Sequence, residues 1–144
     1  LVHAIATDDE LLLTGNGDQA ATLIDHLDMY LIREDVELAD ATQDLAAMFV
    51  CGDQASQILA TIGIQTPPEN SAIELQLGEV QTKIANIELA GFGFLIICPR
   101  STLEVVQSTL VQAGVIGCSM EALDILRVES PGDRSCPSRY NATD

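Results

Sequence analysis

Positively charged side chains are the groups in this chain whose chemistry would stand out most. The sequence holds 22 acidic residues against 6 lysines and arginines, which gives a net charge of −16. A cation placed in a cleft of such a molecule would attract an anionic ligand, and a guanidinium can hold a carboxylate through two parallel hydrogen bonds. The six cations are Arg33, Lys83, Arg100, Arg127, Arg134 and Arg139.

Other arrangements that could do chemistry find little support in the sequence. Asp18 and Asp53 each follow a glycine and could serve as a pair of catalytic carboxylates. Their identical placement is instead typical of the first turn of a helix, where a negative charge interacts favourably with the helix dipole. His3 and His26 have no evident nucleophile or base as a partner. The glycines before Asp18 lack the third glycine of a dinucleotide-binding fingerprint, so a Rossmann site is not expected.

The charge and the cysteines restrict the partners and the compartment. A strongly acidic surface repels phosphate backbones and anionic lipids, so we expect neither direct nucleic-acid binding nor membrane association. None of the 4 cysteines forms a C-x-x-C pair, and no histidine stands at metal-ligand spacing. No signal peptide is recognisable, and the longest apolar run, residues 92–98, is much shorter than the roughly 20 residues of a membrane span. The expectation is a cytoplasmic protein with reduced thiols and no metal.

The elements that must position any site are indicated by a repeated phrase. The tetrapeptide GDQA begins at Gly17 and returns at Gly52, about 35 residues later, which is the scale of a repeated structural unit. An apolar run precedes each copy and an amphipathic stretch follows it. The pattern therefore predicts strand, glycine turn and helix twice.

Periodicity elsewhere completes the predicted order of elements. A hairpin is expected over residues 1–7 and 11–14, and a strand over residues 36–41. Further strands are expected over residues 73–77, 79–88 and 94–98, with helices over residues 103–113 and 119–129. The prediction is an α+β fold of two related ferredoxin-like (split βαβ) units. The first unit, residues 1–44, is incomplete; the second spans residues 45–129, and residues 130–144 form an irregular tail.

Three segments, in this order, resemble the glycine-cleavage T-protein superfamily of folate-binding proteins. Residues 45–62 are similar to its strand, Gly-x-x-Ala turn and helix. Residues 91–94, GFGF, followed by an aliphatic strand and Pro99, resemble its G-x-G-Y segment. Gly114, Gly117 and the helix-like residues 122–129, ALDILRVE, resemble its G-x-x-A-x-x-x-L-R-[hydrophobic]-E helix. The resemblance covers roughly residues 1–129.

The resemblance implies tetrahydrofolate as the ligand, held in a cleft between the two units. It implies that Arg127 faces the folate and holds its glutamate tail, whereas surface pairing with Glu129 or Asp124 is the alternative. Gly91 and Gly93 would let the backbone approach the flat pterin ring, unless they serve a bulge or tight strand packing. Phe92 could stack on the ring, although filling the core is the more common use of such a side chain.

The absence of acidic residues from one of these segments indicates which branch of the superfamily the chain resembles. Aminomethyltransferases carry glutamates in the G-x-G-Y-E stretch, whereas residues 89–95 contain no acid. The YgfZ-like branch, folate-binding proteins linked to iron–sulfur cluster maintenance and tRNA modification, fits better. Its Lys-Gly-Cys motif, the segment preceding the first strand and the C-terminal barrel are missing from this sequence. Enzymatic activity of this chain alone is therefore left uncertain.

Two alternatives stay open beside the YgfZ-like folate-binding protein. The first is an aminomethyltransferase-type one-carbon transfer on tetrahydrofolate, which needs a carboxylate near the folate amines. The second is a non-catalytic interaction module without folate affinity. An incomplete first unit would expose apolar surface, so the sequence also predicts self-association of the chain.

Overall fold

The computed structural model describes residues 2–7, 10–15, 17–33, 35–69, 71–88 and 92–119. These ranges contain six strands and three α-helices, and two short 3-10 turns, Gly17–Gln19 and Arg100–Thr102, precede the first and third helices. In chain order the elements are β1 (His3–Ala6), β2 (Leu11–Thr14), α1 (Ala20–Asp28), β3 (Leu45–Cys51), α2 (Ala55–Thr61), β4 (Ala72–Leu77), β5 (Val80–Glu88), β6 (Phe92–Pro99) and α3 (Leu103–Gln112).

The strands form two antiparallel sheets. β1 and β2 make a two-stranded hairpin in which Ile5 lies opposite Leu12. The other four strands form a sheet of order β3-β6-β5-β4, so β3 and β4 are its edges. Leu77 lies opposite Val80 across a two-residue turn, which makes β4 and β5 a tight hairpin. Along the chain, the three strands β4, β5 and β6 separate α2 from α3.

The main core lies between the four-stranded sheet and the helices α2 and α3. Leu59 of α2 and Val106 of α3 are fully buried, each with 0% exposure, against Ile84 and Ile96 of the central strands. The chain can turn sharply from β3 into α2 because Gly52 has a φ of 118°, a conformation that side chains rarely adopt. The second copy of the repeated phrase thus forms a helix packed on its own sheet.

The opposite face of the sheet carries the β1–β2 hairpin. Ile5 is buried in a smaller apolar cluster with Ala85, Leu95 and Ile97. Lys83 adds an electrostatic contact to this face, because its ammonium group pairs with Glu10, next to β2, and with Glu74 of β4 at 3.5 Å. The hairpin and the sheet are therefore joined by apolar contacts and by an ion pair.

Helix α1 is packed much less completely than α2. None of its residues is fully buried, and Leu23, Ile24 and Leu27 are half-buried. Beyond it, Met29, Tyr30 and Ile32 are exposed. The first copy of the repeated phrase therefore has the predicted local structure, but its apolar helix face is left partly open.

Comparison with the sequence-based expectations confirms the coarse fold class. The described part of the chain is mixed α+β, with two antiparallel sheets and three helices, an arrangement compatible with ferredoxin-like units. The strand expected over residues 36–41 is wrong: residues 35–44 form no strand, and Val36 is 57% exposed. Alternation alone does not make a strand where no neighbouring strand accepts its hydrogen bonds.

Several other expectations lie outside the described residues. The predicted helix over residues 119–129, except for its first residue, and the tail are among them. The hydroxyl of Thr102, the residue before α3, donates to the carbonyl of Pro99 at 2.8 Å and makes no cap hydrogen bond to the helix. Within the described part of the chain, no helix has the length and apolar character needed to cross a bilayer.

Candidate functional site

A cleft of about 910 Å³ opens where the β1–β2 hairpin, α1 and the start of β3 come together. Its size lies within the range of about 300–1,000 Å³ that is usual for small-molecule sites. The wall formed by β2 and α1 is mostly apolar, and the floor is formed by Leu45, Ala47 and Ile97. The remaining wall is the irregular segment formed by residues 37–42.

The cleft exists because the two copies of the repeated phrase are packed differently. Leu59 in the second copy fills the core, whereas Ile24, its counterpart in the first copy, is half-buried and lines the cleft. Ala55 and Ala20 differ in the same way. The apolar face of α1 therefore provides surface for a ligand that the face of α2 does not provide.

Among the described residues that line the cleft, Arg100 is the only lysine or arginine. It follows β6 directly, and its backbone N–H donates to the Asp44 carbonyl at 2.7 Å. Its side-chain Nε donates to the Gln43 carbonyl at 3.1 Å, and Nη2 donates to the carbonyls of Thr42 at 2.8 Å and Leu45 at 3.2 Å. These bonds fix the guanidinium beside the start of β3.

The second terminal nitrogen of Arg100, Nη1, has no hydrogen-bond partner among the described residues. Since Arg100 is exposed, both N–H groups of Nη1 can point to a bound anion. A guanidinium held in place by its other nitrogens loses little conformational freedom when it binds a carboxylate. Arg100 is therefore held where its Nη1 could bind an anion, in a molecule whose net charge is −16.

Two carboxylates lie in the same cleft. Glu37 and Asp40 belong to the wall of residues 37–42. Oδ1 of Asp40 accepts the backbone N–H of Thr42 at 2.9 Å, and hydrogen bonding to Thr42 holds the pKa of Asp40 below its usual value. Asp40 is therefore ionised at neutral pH, and it can accept hydrogen bonds from a ligand.

The residues expected to bind folate are only partly within the described structure. Arg127 and Gly91 lie outside the described residues, as does the side chain of Phe92. Gly93 lies in β6 between Cys51 of β3 and Ile87 of β5. Their assignment to a folate site stays a prediction.

Gly93 is in close contact with a neighbouring side chain. A Cβ built on it would lie 2.4 Å from Cζ of Phe49, 2.7 Å from its Cε2 and 2.9 Å from the Val50 carbonyl oxygen. The Phe49 ring thus occupies the space beside the Gly93 backbone. This contact accounts for a glycine at this position by tight strand packing, one of the two roles considered from the sequence.

A second depression, of about 200 Å³, lies on the hairpin face of the sheet near Lys83. Glu10 and Glu74 already neutralise this lysine, so it is a poor anion contact. No group of three or more histidine, cysteine, aspartate or glutamate side chains within the described residues is arranged to hold a metal ion. The cleft beside Arg100 is therefore the candidate site.

Sequence reasoning singled out Arg127 but not Arg100 or the wall of residues 37–42. The signal for Arg100 was its place in the chain, since it is one of six cations and directly follows an aliphatic strand and Pro99. Comparison with protein-family models and with curated proteins found no match to this chain.

Proposed function

We propose that this chain binds a reduced folate of the tetrahydrofolate type in the cleft between the hairpin, α1 and β3. The apolar walls would take the pterin and aminobenzoyl rings, and Nη1 of Arg100 would hold a carboxylate of the glutamate tail. The observation that carries the proposal is the pairing of an apolar cleft of ligand size with Arg100, whose guanidinium is fixed by hydrogen bonds. The resemblance of residues 45–62 and 91–99 to the T-protein superfamily supports the same ligand class.

The proposed role is binding, as in the YgfZ-like branch, and by that resemblance the protein would support iron–sulfur cluster maintenance or tRNA modification. The charges of the cleft agree with this choice over one-carbon transfer. A general base works best when its pKa lies near the operating pH, and the pKa of Asp40 is lowered away from it. Asp40 is therefore suited to hydrogen-bond a ligand and poorly suited to remove a proton from one.

The one-carbon transferase remains a second candidate because the cleft does contain carboxylates. Glu37 and Asp40 both line it, and the transferase would use one of them as the acid near a folate amine. If this candidate is correct, Glu37→Gln or Asp40→Asn would abolish transfer of the one-carbon unit to tetrahydrofolate, with its accompanying release of ammonia, while folate binding persists. If the chain binds folate but shows no transfer above background, the binding role stands alone.

Calorimetric titration with folinic acid, a stable reduced folate, tests the proposed function. We expect saturable binding by the unmodified chain and an affinity about 10–100-fold lower for Arg100→Met, since a hydrogen bond to a charged group contributes about 1.5–3 kcal/mol. Arg33→Met removes the same charge from a residue that does not line the cleft, and we expect no change in affinity. The reduced pterin ring system alone, as 6-methyltetrahydropterin, carries no carboxylate and should bind the unmodified chain and Arg100→Met equally.

The variant Arg127→Met tests which arginine, Arg100 or Arg127, holds the glutamate tail of the folate. Binding lost in Arg127→Met and intact in Arg100→Met would move the glutamate tail to Arg127 and contradict the role of Arg100. Absence of binding by the folded, unmodified chain would overturn the folate proposal and favour the interaction module. Thermal melting of each variant keeps loss of folding distinct from loss of binding.

A further inference from the structure

Two cysteines that are far apart in the sequence lie at the same end of the four-stranded sheet. Cys51 is the last residue of β3 and stands opposite Gly93, near the start of β6. Helix α3 follows the end of β6 and packs back on the sheet through Val106 and Leu110, so it runs toward the start of β6. When the chain leaves α3, it is therefore at the end of the sheet that carries Cys51.

The segment after α3 brings Cys118 to this end. Gly114 has a φ of 105° and turns the chain, and the N–H of Val115 then donates to the Leu110 carbonyl at 3.0 Å. Val115 packs against the main core, and Cys118 follows shortly after it. The pKa of the Cys51 thiol is raised, mainly by burial and further by the negative charge of the Cys118 thiolate. The two sulfur atoms are thus within electrostatic reach of each other.

The two thiols differ in exposure, which gives them different roles toward an oxidant. Both are free, but Cys118 is exposed, so a dissolved oxidant reaches it first. Cys51 is half-buried, and its raised pKa keeps it mostly as the neutral thiol at pH 7. An exposed thiol that is attacked first and a second thiol that then reacts with it form the usual arrangement of a redox-sensing pair.

We propose that Cys51 and Cys118 form a reversible disulfide when the chain meets a hydroperoxide. The Cys118 thiolate attacks one peroxide oxygen, the O–O bond breaks, and a sulfenic acid forms at Cys118 while the other oxygen leaves as an alcohol or water. Sγ of Cys51 loses its proton and attacks the Cys118 sulfur, so that the S–S bond forms and the hydroxyl group leaves as water. The peroxide thereby accepts the two electrons that the thiols lose.

A dithiol reverses the modification by exchange: its first thiolate opens the S–S bond, and its second thiol releases the protein and becomes part of the reductant's own disulfide. Reversible pairs of this kind are the use that reducing compartments make of disulfides. The proposal does not depend on folate binding, since the start of β3 lines the cleft and Cys51, at its other end, does not.

The segment that carries Cys118 has room to reach bonding distance. A disulfide needs Cα atoms about 4.4–6.8 Å apart. Residues 116–118 are exposed and form neither helix nor strand, and a Cβ built on Gly117 would meet nothing within 4 Å. The segment can therefore move toward Cys51 while Val115 stays packed on the core.

Peptide mapping of the peroxide-treated chain tests the proposal, because trypsin places each cysteine on a different peptide. These are Cys51 in residues 34–83, Cys98 in 84–100, Cys118 in 101–127 and Cys136 in 135–139. The reduced whole chain, at low concentration, is treated with hydrogen peroxide, blocked with N-ethylmaleimide and digested without reductant. We expect the peptides of Cys51 and Cys118 to be joined, with a mass two hydrogens below their sum.

The same treatment in urea is the control for the role of the fold. Cys118 is much closer in sequence to Cys136 than to Cys51, and an unfolded chain closes the shorter loop more readily. We expect the linkage of Cys118 to Cys136 to predominate in urea. In native buffer the linkage of Cys118 to Cys51 should exceed it by about tenfold or more, because the fold holds those two thiols near each other.

Serine variants assign the order of the two steps. Cys51→Ser should leave a sulfenic acid at Cys118 that dimedone labels, and Cys118→Ser should slow oxidation of Cys51 by about tenfold or more. Cys98→Ser removes a buried thiol of β6 and should leave the linkage unchanged. In the unmodified chain the disulfide should raise the melting temperature by about 5 °C or more, and dithiothreitol should reverse the shift.

Three results would overturn the proposal. The first is separate blocking of Cys51 and Cys118 by N-ethylmaleimide after peroxide treatment. The second is a linkage of Cys118 to Cys136 in native buffer. The third is a linkage whose yield rises with protein concentration, since that bond would join two chains. The mapping uses the unmodified chain, so it decides the question even where a serine variant does not fold.

Discussion

Replacing Leu59 with alanine is expected to lower the free energy of unfolding by about 2–5 kcal/mol, the range for large-to-small substitutions in a well-packed core. Leu59 has 0% exposure and packs with Ile64 and Val106 between α2 and the sheet. The substitution would leave a cavity that these neighbours cannot close, since α2 and α3 are both fixed on the sheet. Chemical denaturation monitored by circular dichroism measures the loss.

Ile24→Ala is the matched control, because Ile24 holds the same place in the first copy of the repeated phrase. It lines the open cleft, so we expect a loss of about 1 kcal/mol or less in the free energy of unfolding. Its effect should appear instead as weaker folinate binding, since it removes apolar surface from the proposed site. Equal destabilisation by the two substitutions would show that α1 is packed as firmly as α2 and that the cleft is closed in solution.

The second large effect is expected for Gly93→Ala, which should lower the free energy of unfolding by about 1–3 kcal/mol through overpacking. The added methyl group would lie 2.4 Å from Cζ of Phe49 and 2.9 Å from the Val50 carbonyl oxygen, far inside van der Waals contact. The ring can move only by leaving its cluster on the hairpin face, and the carbonyl belongs to the β3 backbone. Thermal or urea denaturation of the variant tests this expectation.

A double substitution assigns the effect to the ring. Phe49→Leu shortens the side chain that blocks the methyl group, so Gly93→Ala should cost less in the Phe49→Leu background, by about 0.5 kcal/mol or more. The outcome also distinguishes the two roles considered for Gly93. If Gly93→Ala folds with unchanged stability but loses folinate binding, strand packing is not the reason for the glycine, and the approach to the pterin is supported.

Local structure was largely predictable from the sequence because short-range signals determine it. The repeated apolar run, glycine and amphipathic stretch predicted β2, α1, β3 and α2, and each forms. The apolar run over residues 94–98 predicted a strand, and these residues form most of β6 and are buried. Apolar residues over 73–77 and alternation over 79–88 predicted β4 and β5 in the same way.

The candidate site was not predictable, because it depends on contacts between segments far apart in the chain. No short-range signal in the sequence distinguishes Ile24 from Leu59. Their burial differs because α2 packs on the four-stranded sheet, whereas the apolar face of α1 lines the open cleft. Residues 36–41 alternate as a strand does, yet they form an irregular wall of the cleft. Arg100 became a candidate only when the structure showed which carbonyls fix its guanidinium and which cleft it faces.

Hydrogen exchange of the chain with and without saturating folinic acid tests most directly whether this cleft is the ligand site. The account predicts slower exchange of the backbone amides in residues 11–15, 20–27 and 37–42, which line the cleft, and no change in α2 or α3. Saturable binding that leaves these three segments unchanged, or that protects the α2 and α3 face instead, would contradict it.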